Sequence, residues 1–428
     1  MGQTRFPSTG HRWFALGAAA LVLLIAGVVL VLRLTAVGPP SPRFSYGFDF
    51  AQQGPYTSTE PNAAAVASAR RVLSSIPGMY EATPIMYWGL PDPEPAPGRF
   101  DLSAIAGRVR LITSTGGIPV VTLCGAPGWM KNGTGPNVAP TPEHYQDFAT
   151  LAAKIARAFP EVKYFVVWNE FKGFWSTADN NWDIKGYTTM YNDVYRAIKR
   201  VRPDAWVGGP YATTPPLATP GRGNLPSTPH GPWGYLDQRT LDAIRYWLAN
   251  KAGADFLAVD GRDYPHTGPI TSPLAATEKY AATTVWLRQQ SQLPIWWMES
   301  HIQPPGSGWS DNQAAAIRVA ALVQMASSGA RVGMQWQPEQ GATSDDDAGL
   351  WTSTRSPEGG QPTVLARILP GVLEVLGRKV RIVPGQPPGV LVASGPGGTI
   401  ALNTTTAAAT AVVNGTRVPL GPGQVRVS

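Results

Sequence analysis

VKYFVVWNE, residues 162–170, is the stretch on which the fold turns. It is a short apolar run rich in valine and aromatic residues, of strand length, that ends on an amide and an acid. Immediately before it, TPEHYQDFATLAAKIARAF (141–159) has helical periodicity, with Thr141 as the expected cap, Pro142 at the first position and Glu143 in the first turn. After it, GYTTMYNDVYRAIKRVR (186–202) reads as another helix. The same alternation runs outward in both directions. FSYGFDF (44–50), ATPIMYW (82–88), IPVVTLCG (118–125), AWVGGPY (205–211), DFLAVDGRDY (255–264), PIWWMES (294–300) and RVGMQWQP (331–338) read as strands. Helical segments lie between them, and a last one at 362–376 has Pro370 as an expected break. Strictly alternating strands and helices pair in parallel through helical crossovers. Eight units over residues 44–377 predict an α/β fold, a (β/α)8 TIM barrel with lengthened loops. A doubly wound open sheet is the rival, but no G-x-G-x-x-G follows the first strand.

Beyond the barrel the helical pattern stops. Residues 378–428 are short strand-like runs separated by Gly, Pro and the hairpin signal Asn414-Gly415, and they predict a small C-terminal all-β appendage. At the other end, WFALGAAALVLLIAGVVLVL (13–32) is 20 residues without a charge, long enough for a transmembrane helix. Basic residues precede it, so residues 1–37 are read as a cytoplasmic stub and single-pass signal-anchor in the cell membrane, with 38–43 as a linker. The body is then expected to be extracytoplasmic, or secreted if the segment is cleaved.

The net charge of +7 misleads: residues 1–43 and 371–428 each carry +4, and 44–370 carry −1. A basic face for nucleic acid is therefore not expected. The single cysteine, Cys124, excludes an internal disulfide and any multi-cysteine metal site, and is read as a buried structural residue. His230, His266 and His301 show no metal-ligand spacing. Asp345-Asp346-Asp347 is read as a loop rather than a calcium site. Neither a metal nor a cofactor is implied.

In such a barrel the reacting groups sit at the carboxyl ends of the strands. The acids at those ends are Asp49, Glu170, Asp260, Asp263 and Glu299. Glu170 and Glu299 each end an apolar strand, where burial would raise a carboxyl's pKa. With VVWNEFKGFW (166–175), YNDVYRAIKRVRPDAWVGGP (191–210), DFLAVDGRDYPHTG (255–268), PIWWMES (294–300) and GMQWQP (333–338), the chain resembles the retaining glycoside hydrolases of clan A, and most nearly the β-xylosidase-like family 39. That resemblance implies Glu170 as acid/base, Glu299 as nucleophile and Asn169 as the group that holds the sugar 2-hydroxyl. It places Tyr264 and His266 near the nucleophile. Trp336 is the expected platform under the innermost sugar, Trp88, Trp129 and Trp175 are candidates for outer subsites, and Asp49 for a sugar hydroxyl. The chain departs from the family in lacking a proline after Asn169-Glu170 and an arginine at the end of the second strand.

The expected function is hydrolysis of O-glycosidic bonds in an oligo- or polysaccharide of the cell envelope or exported from the cell, by double displacement. A transglycosylase and a non-catalytic carbohydrate-binding or wall-associated barrel are the alternatives. The sugar, the linkage and the oligomeric state are not legible.

Overall fold

The computed structural model describes residues 1–2, 43–49, 54–57, 61–218, 225–265, 272–341 and 348–428. Residues 1–43 and 44–428 form two units, and the second carries the barrel. The apolar stretch 13–32 lies outside the described residues, and no helix among those described is long and apolar enough to cross a membrane.

Eight parallel strands close into a barrel: β1 (Ser45–Asp49), β2 (Tyr80–Pro84), β3 (Ile118–Leu123), β4 (Tyr164–Val167), β5 (Trp206–Thr213), β6 (Phe256–Arg262), β7 (Ile295–His301) and β8 (Val332–Trp336). β1 seals the ring by pairing with β8 from Ser45↔Val332 to Asp49↔Trp336. The helices that follow the strands are α1 (Ala63–Ser75), α2 (Ser103–Ser114), α3 (Tyr145–Ala158), α4 (Ile184–Val201), α5 (Gln238–Asn250), α6 (Pro273–Gln290), α7 (Asp311–Ser328) and α8 (Val364–Leu376).

Period-two alternation splits each strand between two cores. Tyr80, Val120, Val166, Phe256, Trp296, Met298 and Met334 fill the interior. Trp296 stacks on Phe256 with centroids 4.2 Å apart and meets Tyr80 edge-on at 5.0 Å. Their neighbours Phe165, Leu257 and Trp297 face the helices. Two glycines set how closely the strands and this filling approach. A Cβ on Gly47 would lie 2.0 Å from the Tyr80 carbonyl oxygen, and one on Gly208 would lie 2.2 Å from the Phe256 ring.

Several boundaries differ from the sequence reading. β2 stops at Pro84, because Tyr87 and Trp88 take left-handed backbone angles and turn the chain. Thr141 does not cap a helix: Pro142–His144 is a 3₁₀ turn that leads into α3. Pro370 does not break α8, whose buried Leu369, Val372 and Val375 keep the helix on the core.

The C-terminal segment forms strands β9 (Arg381–Ile382), β10 (Val390–Gly395), β11 (Gly398–Asn403), β12 (Ala409–Val413), β13 (Thr416–Leu420) and β14 (Val425–Val427). They make an antiparallel sheet in the order β9-β10-β11-β14 and a β12–β13 hairpin. Asn414 (φ 49°) and Gly415 (φ 80°) are both left-handed, as a type I′ turn requires. Leu391, Ala393, Ile400 and Leu402 join the same hydrophobic core as α7 and α8, so the appendage is packed onto the barrel's helical layer.

Candidate active site

The carboxyl ends of the strands concentrate unusual backbone. Among the described residues, nine non-glycine positions have positive φ, and seven of them lie beyond a strand's carboxyl end or in its last residues: Tyr87, Trp88, Trp168, Glu170, Phe171, Tyr211 and Gln337. Such conformations cost of order 1–3 kcal/mol each and persist where the surroundings over-determine them. Two register shifts flank β6. Tyr211 is the extra residue between Ala258↔Pro210 and Val259↔Ala212, and Met298 is the extra residue between Val259↔Trp297 and Asp260↔Glu299. A bulge re-aims the side chains beside it. These two bring Tyr211, Asp260 and Glu299 to one end of the barrel.

Glu170, Asp260 and Glu299 converge there: one carboxylate oxygen of each lies within 4.8 Å of one from each of the others. Asp260 is 1% exposed and Glu299 is 6% exposed. Three carboxylates this close need either a cation or a proton between them. Lys172 supplies a cation, its ammonium paired with Glu170 Oε2. Burial works against that ammonium, but Glu170 and Glu299 hold its pKa above the usual lysine value. Burial likewise pushes the Glu170 carboxyl up, yet Lys172, the contact with Asp260 and the charge of His301 pull it below the usual range. The raised carboxyl expected at Glu170 is therefore found instead at Asp260, which burial and then the Glu170 charge drive well above the usual value.

Glu299 is held from two sides. His301 Nε2 lies 2.7 Å from Oε1, and the Tyr211 hydroxyl donates to Oε2 at 3.3 Å. Tyr211 also donates to Asp49 Oδ2, so it bridges the ends of β1 and β7. Burial, then the charges of Asp49 and Glu299, keep the Tyr211 phenol protonated as a donor. Behind the site, fully buried Arg318 of α7 donates to Ser300 Oγ at 2.8 Å and to the Ser300 carbonyl at 3.2 Å. Ser300 Oγ in turn donates to the Met334 carbonyl at 2.7 Å, tying β7 to β8 next to Glu299.

The other sequence-predicted residues fall as follows. Asn169 is buried beside Glu170, and its Oδ1 has no hydrogen-bond partner. Trp336 ends β8 opposite Asp49, its ring 5.8 Å from that of His301. Asp49 accepts the Tyr211 hydroxyl rather than standing open for a sugar. Tyr264 is buried with the Arg262 guanidinium 5.4 Å over its ring. Trp88 lies beyond β2, with its carbonyl held by Arg108 at 2.7 Å. Trp129 donates to the Glu94 carbonyl at 2.8 Å and meets the His144 ring at 5.3 Å, so it braces two loops. Trp175 stands 39% exposed after β4, with Arg239 4.9 Å over its ring. His266 and Asp345–Asp347 lie outside the described residues. Cys124 is a buried free thiol whose pKa is pushed to about 12, mainly by burial, which suits a structural residue.

Sequence reasoning missed Lys172, Tyr211 and His301, and left Asp260 without a role. Lys172 and His301 each lie two residues past a catalytic candidate, a signal that was available. Tyr211 depends on a bulge that no local pattern announces.

Comparison with known proteins bears on the fold. A family 39 glycoside hydrolase from the gut symbiont Bacteroides cellulosilyticus superposes with a TM-score of 0.56 at 15% identity, over 90% of this chain and 79% of that one. A family 39 β-xylosidase from Caulobacter crescentus gives 0.54 at 17% identity, over 87% and 78%. A glucosidase from Croceicoccus marinus gives 0.53 at 15% identity, over 91% and 82%. No protein-family model and no curated protein matches the chain. At these identities the likeness establishes the architecture, a (β/α)8 barrel shared with glycoside hydrolases.

Proposed function

We propose that this protein is a retaining glycoside hydrolase that cleaves an oligo- or polysaccharide, with Glu299 as nucleophile and Glu170 as acid/base. The observation that carries this reading is the approach of one Glu170 oxygen and one Glu299 oxygen to within 4.8 Å, Glu170 from the turn after β4 and Glu299 from β7. A retaining pair stands about 5–5.5 Å apart, whereas an inverting pair leaves about 6.5–9.5 Å for a water. His301 and Tyr211 steady Glu299 for attack on the anomeric carbon. Asn169 Oδ1, buried without a partner, is an acceptor for a sugar hydroxyl at the position next to the acid. Trp336 offers the ring for the innermost sugar. The structural neighbours include proteins described as β-xylosidases, which supports a β-linked sugar as the first class to try. The apolar stretch at 13–32 supports an extracytoplasmic enzyme tethered to the membrane, acting on an envelope or exported glycan.

The test is turnover of an aryl glycoside panel by the full chain beside Glu170→Gln and Glu299→Gln, with the anomer first formed read by proton NMR. Retained configuration, loss with Glu299→Gln, and azide rescue of Glu170→Gln on an activated substrate are expected. Inverted configuration, or unchanged turnover in Glu299→Gln, would overturn the proposal. Saccharide binding that survives both substitutions, with no turnover by the wild type, would establish the binding-protein alternative.

A further inference from the structure

Asp260 is the one carboxyl of the cluster that the reaction above does not use. It is buried, it sits opposite Glu299 in register, and neither of its oxygens is reached by a donor. Such an orphaned ionised carboxylate costs several kcal/mol. A proton on Asp260 removes that cost and turns its contact with the Glu170 carboxylate into a hydrogen bond. The groups around it agree. Glu170 faces it from the turn after β4 and Glu299 from β7, with Tyr211 from β5 and, beyond Tyr211, Asp49 from β1. On the cationic side, Lys172 is engaged with Glu170, and His301 with Glu299. Lys279 of α6 donates to Thr214 Oγ1 at 3.1 Å, and burial lowers its pKa to about 7, which weakens it as a counter-charge. Arg262 and Asp263 follow on β6 itself and the turn after it, Arg262 stacked on Tyr264.

We propose that Asp260 is the proton-holding partner of Glu170: in the empty site Asp260 is the neutral carboxyl and Glu170 the carboxylate, and Asp260 loads Glu170 for each turnover. The proposal rests on the glycosidase reading for its chemistry. In the first half-reaction the Asp260 O–H bond breaks as a Glu170 O–H bond forms. Glu170 then gives the proton to the glycosidic oxygen, the bond to the leaving group breaks, and Glu299 bonds to the anomeric carbon. The trio carries two negative charges before, on Glu170 and Glu299, and two after, on Glu170 and Asp260. In the second half-reaction water bonds to the anomeric carbon, its proton passes through Glu170 to Asp260, and the Glu299 carboxylate departs. Charge in the cluster thus stays constant, which matters where solvent screening is weak.

Two measurements on the full chain test this. Infrared spectra with carboxyl-labelled aspartate should show, at neutral pH, an isotope-shifted carbonyl band of a protonated aspartic acid that is absent in Asp260→Asn. No such band in the wild type, or the same band in the variant, would overturn the proposal. In kinetics, Asp260→Asn should lose about 100-fold or more in kcat/KM on phenyl glycosides, which need the acid, yet stay within a few-fold on dinitrophenyl glycosides, which do not. Its alkaline limb should also move to lower pH. A leaving-group dependence and pH profile identical to the wild type would refute the loading role. The infrared result needs no substrate, so a wild type that shows the band but hydrolyses nothing would sink the hydrolase reading and leave the proton on Asp260.

Discussion

Replacing Lys172 by Met keeps the stem and removes the ammonium from Glu170 Oε2. That contact is a charge-assisted hydrogen bond between a side chain one-third exposed and one about one-fifth exposed. A pair near 4 Å would be worth about 4 kcal/mol at the effective dielectric of about 20 that holds near a protein surface, and exposed pairs are worth about 0.2–1 kcal/mol once entropy and screening are included. With the solvent discount this pair falls between, at about 1.5–3 kcal/mol, the range of a hydrogen bond to a charged group. At 1.36 kcal/mol per tenfold in an equilibrium constant, losing that interaction strengthens proton binding by the Glu170–Asp260 pair about 10- to 100-fold, because Lys172 lowers the pKa of both members. The acid must be protonated for the first half-reaction, so activity is lost above that pKa. The alkaline limb of kcat/KM on phenyl glycosides should therefore shift up by about 1–2 pH units in Lys172→Met. The assay is a pH series at saturating and limiting substrate, with the wild type alongside. A limb that stays in place, or moves to lower pH, would refute the claim that this lysine sets the protonation of the acid.

The remaining expectations concern the scaffold and the nucleophile. Glu81 is buried with a pKa pushed from 4.5 to about 8, chiefly by burial, so the native state holds a proton that the unfolded chain releases. Stability should fall as pH rises from about 4.5 to about 8, and Glu81→Gln should flatten that fall in urea titrations. Arg318→Met strips both donors from Ser300 and should lower stability by about 2–4 kcal/mol in the same titrations, with turnover lost alongside as β7 loosens. Gly47→Ala forces a Cβ against the Tyr80 carbonyl and should cost at least about 1–3 kcal/mol in thermal unfolding, whereas Ala at open Gly78 should show only its backbone penalty. Tyr211→Phe removes the donor shared by Asp49 and Glu299, and should lower kcat by about tenfold or more with little change in KM.

The barrel was legible because most strands carry a short apolar run and most helices a 3.6-residue period, two signals that do not depend on partners, while α6 and α7 were placed by length and alternation. The acids Glu170 and Glu299 were legible for the same reason: an acid after FVVWN or PIWWM marks the carboxyl end of an apolar run, although β4 itself closes at Val167 and β7 runs on to His301, and strand ends share one face of a barrel. What stayed hidden was set by pairing. Tyr211 and Met298 are inserted residues only relative to β6, and no reading of one strand reveals a register shift against its neighbour. The protonation of the site was misread because burial alone was weighed at Glu170, while Lys172, two residues on, lies outside the strand pattern that drew attention to the acid. Trp129 shows the opposite limit: a tryptophan near a strand end suits a sugar platform and a loop brace equally until its N–H partner is known.

The pairing that closes the ring also decides how the chain bears force. β1 is the first stave of the barrel and is clasped by β8 along its whole length, with β2 on the other side. A pull applied on the amino-terminal side of Ser45 runs along the strand axis, so the cross-strand bonds are loaded in shear and must yield together rather than unzip one by one. Mechanical extraction from that end should therefore require far greater force than peeling the carboxyl-terminal β14, which is joined to β11 by only three register pairs.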